Sequence, residues 1–257
     1  MRIIFIRHGD PDYENDTLTK KGWREAELLS KRAESLNLGE CYVSPLGRAQ
    51  DTARPCLEKT GKTAETLDWL HEFWAKLDIN KAPELAEAYP DAEMNGENYL
   101  SRIVWDMAPG YLTEHSGYMD KDAWRKSLVA QHSDMVEIYD KVTEEFDALL
   151  AKYGYVRENG HYRVEKESTE TITLFCHFGL ICVLLSHLWN VSPFTLWNSF
   201  ALAPTSVTEL VTEERKQGIA YFRGLKIGDV SHLYSGNEEP SFAARFCETY
   251  SNKEQRH

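Results

Sequence analysis

A chain of 257 residues that is 42% hydrophobic and 27% charged is long enough to bury a sizeable core, and its composition is neither disordered nor fibrous. Its formal charge of −12, from 41 acidic and 29 basic side chains, disfavours nucleic acid and anionic membrane as partners. The most continuous apolar runs, Ile3 to Ile6 and Leu180 to Leu185, fall far short of the about 20 residues that cross a bilayer, and no signal-peptide pattern follows Arg2. A cytoplasmic protein with no membrane partner is expected.

Residues 2 to 7 read as a buried strand running into a loop at Gly9 and Pro11. A helix opens near Thr19, with Trp23, Ala26, Leu29, Ala33 and Leu36 at spacings of three and four. Cys41 to Val43 is a second strand. Ser44 is expected to cap a second helix, with Pro45 in its first position and Leu46, Ala49, Ala53 and Leu57 as the buried stripe. A third strand is expected at Thr66 to Leu70, followed by an insertion or cap from about Leu77 to Gln131, rich in Trp, Tyr, Met, Gly and Pro.

Beyond the insertion, Ser133 to Tyr153 carries Met135, Tyr139, Val142, Phe146 and Leu150 on one helical face. Asn159-Gly160 between two β-branched and aromatic pairs signals a hairpin. Thr171 to Cys176 reads as a core strand, Phe178 to Trp189 as a buried helix, and Ser199 to about Leu225 as two further strands. The alternation predicts an α/β three-layer sandwich: a mostly parallel central sheet, helices on both faces, and a helical cap insertion. One domain over residues 1–257 is expected, with the cap at about 77–131.

In such sheets ligands bind beyond the carboxyl ends of the strands. Three predicted strand ends deliver Arg7-His8-Gly9, Ser44-Pro45-Leu46-Gly47-Arg48 and His177 to one edge. Guanidinium forks and helix N-termini hold a phosphate dianion, a neutral imidazole attacks it, and Gly9 lets the backbone pass close by. The expected pocket binds an anion and brings its own nucleophile. The five cysteines are scattered without a Cys-x-x-Cys pair, and the remaining histidines (His71, His115, His132, His161, His187, His232, His257) form no spaced ligand set. No metal and no cofactor are expected.

Arg7-His8-Gly9, Leu18-Thr19-x-x-Gly22, Ser44-Pro45-Leu46-x-Arg48-Ala49-x-x-Thr52-Ala53 and His177, in that order, resemble the signature of the histidine phosphatase (phosphoglycerate mutase-like) superfamily. The resemblance covers residues 1 to about 75 and about 170 to 212. It implies that His8 is transiently phosphorylated and that Arg7, Arg48 and His177 bind the transferring phosphoryl group. It also implies a carboxylic acid after the third strand, which Leu70-His71-Glu72-Phe73 supplies as Glu72, with Glu97 of the cap as the rival. Asp10 stands where Glu or Gln is commoner, Phe178-Gly179 replaces the usual Gly-Gly or Gly-Asn, and Asn15 lies one position late.

The expected activity is hydrolysis of a small phosphorylated metabolite through phosphohistidine, independent of metal. The alternatives are phosphoglycerate mutase-type transfer and a non-catalytic phospho-ligand binding protein. Neither the substrate nor the oligomeric state is legible.

Overall fold

A computed structural model describes residues 1–242 together with residues 249, 251 and 252; Cys247 and His257 lie outside the described residues. Eight strands form the main sheet: β1 (Arg2–Arg7), β2 (Glu40–Val43), β3 (Ala64–Thr66), β4 (Tyr155–Glu158), β5 (His161–Val164), β6 (Thr171–Cys176), β7 (Val207–Lys216) and β8 (Ile219–Asp229). Their order across the sheet is β4-β5-β8-β7-β1-β6-β2-β3. The strands β1, β6, β2 and β3 run parallel to their neighbours and make the core of the sheet. The other half, β7, β8, β5 and β4, is antiparallel and pairs onto β1 through β7. The predicted Asn159-Gly160 hairpin joins β4 to β5, with φ of 47° and 83° at its two turn residues.

Alternation along β1 decides how the layers form. Ile3 and Phe5 enter one apolar cluster, with α3 (Met135–Lys152), α4 (Phe178–Trp189) and much of the insertion. Ile4 and Ile6 enter the other, with Leu29 and Ala33 of α1 (Lys20–Leu36) and Ala49, Ala53 and Cys56 of α2 (Gly47–Thr60). Helices thus cover both faces, as the near-continuous apolar runs of β1 and β6 require. Cys41, Cys56, Cys176 and Cys182 are free and buried. Among the described residues no helix is long and apolar enough to cross a membrane.

Two local expectations need correction. The third strand ends at Thr66, and Asp68–Leu70 turns as a 3-10 helix. Trp69 and Leu70, both buried, reach the core from that turn. Ser44 does not cap α2, which starts at Gly47 with no side-chain cap at Leu46; the Ser44 hydroxyl turns to His177 instead. The segment from 77 to 131 holds short 3-10 turns, the brief helices Pro109–Glu114 and Leu128–Gln131, and small two-stranded ribbons.

The register brings the carboxyl ends of the parallel strands level: Arg7 lies beside Cys176, Phe175 beside Val43, and Val43 beside Thr66. The loop leaving β1 is clamped onto the first turn of α1. Thr19 caps that helix by accepting from the Gly22 N–H at 3.1 Å, and its hydroxyl donates to Asp10 Oδ2 at 2.7 Å. A Cβ at Gly22 would lie 2.2 Å from the Asp10 carbonyl oxygen, so this position in the Leu18-Thr19-x-x-Gly22 motif accepts only glycine. The buried Glu25 carboxylate, one turn further along α1, accepts from the Asp10 N–H at 2.8 Å and the Ser241 N–H at 3.2 Å.

Burial pushes the Glu25 carboxyl up from 4.5 to about 7, against the pull of those two N–H groups. Because the folded value is raised, the stability tied to its proton is complete below about pH 4.5 and is lost as pH rises through about 7. Thermal melts between pH 5 and 8 should therefore show wild type losing stability with rising pH more steeply than Glu25→Gln. Parallel slopes for the two proteins would show that this carboxyl does not titrate in that range.

Candidate active site

His8 stands directly after β1, 2% exposed, with its N–H donating to the Cys176 carbonyl at 2.9 Å. Its Nδ1 lies 2.7 Å from the carbonyl oxygen of Gly9. A carbonyl can only accept, so the neutral ring carries its proton on Nδ1 and turns the Nε2 lone pair outward. Burial, then the Arg7 and Arg48 guanidinium groups, hold the imidazole well below its ordinary 6.5. The unprotonated, nucleophilic form is the form present at neutral pH.

Arg7 precedes it in β1 and is fully buried; one Nη donates to the Leu202 carbonyl, and the guanidinium sits 5.8 Å over the Phe178 ring. Arg48 comes from the first turn of α2. Its Nη1 donates to Asp16 Oδ1 at 2.6 Å, while Asp16 Oδ2 accepts from the Gly47 N–H at 2.7 Å. One carboxylate thereby fixes both the helix start and the guanidinium. Arg48 Nε is buried without a hydrogen-bond partner among the described residues.

His177 follows β6 with no exposed surface, its ring centroid 5.1 Å from that of His8. Ser44 Oγ lies 2.7 Å from its Nε2 and also accepts from the Leu46 N–H at 3.2 Å. A Ser44 hydroxyl donating to Nε2 leaves the ring proton on Nδ1, which is buried and unpartnered. Burial, then His8, Arg48 and Arg7, keep this imidazole neutral as well, well below 6.5. The unpartnered, buried His177 Nδ1 beside the Arg7 and Arg48 guanidinium groups describes a place for a multiply charged anion.

Glu72 reaches the same edge from the turn after Asp68–Leu70, 7% exposed. Its Oε1 accepts from Phe73 N–H at 2.8 Å and from Leu180 N–H, in the first turn of α4, at 3.0 Å. Burial raises this carboxyl above the ordinary 4.5, with the two N–H groups, Arg7 and Arg48 pulling against it. Since both bonds use Oε1, Oε2 is the oxygen able to carry a proton. A Cβ at Gly179 would lie 2.9 Å from Oε1 and 2.5 Å from the Trp105 ring, which accounts for Gly179 after Phe178.

The structure thus gathers His8, Arg7, Arg48, His177 and Glu72 at one edge. Glu97 is exposed, in the turn of the ribbon Met94–Asn95 and Asn98–Tyr99. Asn15 is exposed and bonds Asp12 at 2.9 Å. A Cβ at Gly9 would meet the Gly22 carbonyl oxygen at 2.9 Å. Sequence reasoning missed Asp16 and Thr205. Thr205 takes a φ of 58° and donates its N–H to the carbonyls of Arg7 and His8, both at 3.1 Å. A left-handed Asp or Thr has no periodic signal, and only the folded partners show its use. Among the described residues no group of three or more His, Cys, Asp or Glu side chains is placed to hold a metal ion.

The family model for the histidine phosphatase superfamily (branch 1) matches residues 3–103. A probable phosphatase of Schizosaccharomyces pombe is 24% identical over 250 residues, covering 91% of this chain and 96% of that protein. A 2,3-bisphosphoglycerate-dependent phosphoglycerate mutase of Thermoplasma acidophilum is 29% identical over 116 residues, 40% of this chain and 58% of that one. Among solved structures, a mycobacterial glucosyl-3-phosphoglycerate phosphatase with inorganic phosphate superposes at a TM-score of 0.57 and 18% identity, covering 90% of this chain and 98% of that one. A phosphoserine phosphatase of Entamoeba histolytica does so at 0.53 and 15%, covering 90% and 98%. The motif order, the family model over residues 3–103 and a relative matched along nearly its whole length agree in making this chain similar to the histidine phosphatase superfamily.

Proposed function

We propose that this chain is a phosphomonoester hydrolase acting on a small phosphorylated metabolite through a phosphohistidine on His8. The observation that carries the reading is the buried, neutral His8 imidazole, its Nδ1 on the Gly9 carbonyl, beside Arg7, Arg48 and His177. The phosphatases among its relatives support hydrolysis. The free, buried described cysteines support a reducing compartment such as the cytoplasm. The segment 77–131 acts as the cap of a single domain, a role supported by Trp105 reaching Gly179 beside Glu72.

In the first step the Nε2 lone pair attacks phosphorus and the bond to the leaving oxygen breaks. Glu72 passes its proton to that oxygen as the electron pair arrives. Arg7, Arg48 and the His177 Nδ1–H bind the oxygens of the transferring group, where charge is best matched in transit. In the second step water attacks the phosphohistidine, the Glu72 carboxylate takes the water proton, and the P–N electron pair returns to Nε2. Glu72 and His8 end in their starting states, and alcohol and phosphate are the products.

The match to a mutase favours one alternative, in which the phosphohistidine is handed to a second hydroxyl instead of water. Assaying phosphate release and isomerisation side by side on a panel of phosphorylated metabolites separates the two.

His8→Ala should lose turnover and the acid-labile, alkali-stable label that wild type acquires from a phosphorylated substrate; label persisting without His8 would refute the nucleophile. Arg48→Ala should lower kcat by about 10²-fold or more, with a smaller change in KM. A change in KM alone would reduce Arg48 to ground-state binding.

Glu72→Gln should slow phosphoenzyme formation from an alkyl phosphate far more than from an aryl phosphate, whose leaving oxygen needs little protonation. With the Glu72 pKa raised and that of His8 lowered, wild-type kcat/KM on the alkyl ester should fall on the acid side as His8 gains a proton. It should fall on the alkaline side as Glu72 loses its proton. Equal losses on both esters would assign the acid role to another group.

A further inference from the structure

Tryptophans from three parts of the chain cluster beside Glu72. Trp105, from the insertion, presents its six-membered ring to Gly179, the residue that Glu72 Oε1 also faces. Behind it stands the buried Trp197 of α5 (Pro193–Ser199), 6.0 Å away between centroids, its Nε1–H donating to the Gly179 carbonyl at 3.1 Å. Trp74 stands 6.3 Å from Trp105 at an interplanar angle of 37° and is 40% exposed. It sits two residues after Glu72, in a turn closed by the Trp74 N–H on the Glu72 carbonyl at 2.9 Å. An indole row therefore runs from the proton donor to the surface.

Charge in the same place is already committed. The guanidinium groups acting on both His8 and Glu72 are Arg7 and Arg48, which face the phosphoryl group. A carboxylate or second phosphate on the departing alcohol would be set against indole, where desolvation costs it, while Arg7 and Arg48 face the phosphoryl group instead. An uncharged ring lying along Trp105 and Trp74 would instead bury apolar area and gain ring-on-ring contact.

We propose that Trp105 and Trp74 form the leaving-group subsite, and that it selects phosphate esters of uncharged alcohols bearing a flat apolar ring. This rests on the phosphatase reading and sharpens it: the leaving oxygen is at Glu72, and the rest of the alcohol extends along the indoles. Trp105 fixes the inner end of the lane and Trp74 the outer end.

The test uses esters whose leaving oxygens are equally poor, so that ring recognition is not confused with reactivity: 2-phenylethyl phosphate, ethyl phosphate and 3-phosphoglycerate. Wild-type kcat/KM should favour 2-phenylethyl over ethyl phosphate by about tenfold or more, as expected for one buried ring. Trp74→Ala and Trp105→Ala should each pull that ratio toward one. Trp74 is exposed, so its variant carries the test if Trp105→Ala fails to fold. In wild type, 2-phenylethanol should also inhibit competitively, and more weakly in Trp74→Ala. Phosphate release that is as fast from ethyl phosphate, or faster from 3-phosphoglycerate, would overturn the subsite and leave the phosphatase reading standing. Release from none of the three would count against the phosphatase reading itself, and the subsite would fall with it.

Discussion

The hydrogen bond between His8 Nδ1 and the Gly9 carbonyl, made inside a pocket that already holds two guanidinium groups, is the constraint on which the site depends. The carbonyl fixes which nitrogen carries the proton. Burial and the two positive charges then make a second proton costly. The imidazole is left with a directed Nε2 lone pair across the neutral range, with no separate base to activate it. A phosphate dianion placed there would meet the charge of Arg7 and Arg48 and the spare Nδ1 of His177, so the features that keep His8 neutral also suit an anion.

Holding that arrangement requires ties from several directions, most of them made to backbone. The loop after His8 is fixed by Gly22 packing on Asp10, by the Thr19 cap and by the Glu25 carboxylate. Gly9 N–H donates to Thr52 Oγ1 at 2.8 Å, and Thr52 in turn donates to the Arg48 carbonyl at 2.7 Å, linking the loop to α2. Asp16 secures Arg48, and Thr205 closes on the carbonyls of Arg7 and His8 from the strand side. Much of the sequence signature therefore supports the backbone around His8, and a smaller part supplies the side chains gathered beside it.

This division explains what was legible. Arg7, His8 and His177 occupy strand ends and Arg48 the helix start that follows one, within short motifs, and the parallel-sheet rule converts those positions into a common edge. Glu72 lies after the third strand, as its sequence position suggests, although that strand ends at Thr66 and the chain turns through Asp68–Leu70 before reaching it. Ser44 resembled a helix cap because serine before proline at a helix start is ordinary local chemistry, and only the tertiary neighbour His177 redirects its hydroxyl. Asp16, Thr205 and Trp105 act through partners tens of residues or more away in sequence, and nothing in their local pattern marks them.

The protonation and tautomer of His8 are open to direct measurement. Heteronuclear NMR of the imidazole nitrogens of the free enzyme, followed through a pH titration, reports both. The account predicts an Nδ1–H ring that stays neutral from neutral pH to well below 6.5. An Nε2–H tautomer, or a ring that gains its second proton at or above pH 6.5, would contradict it.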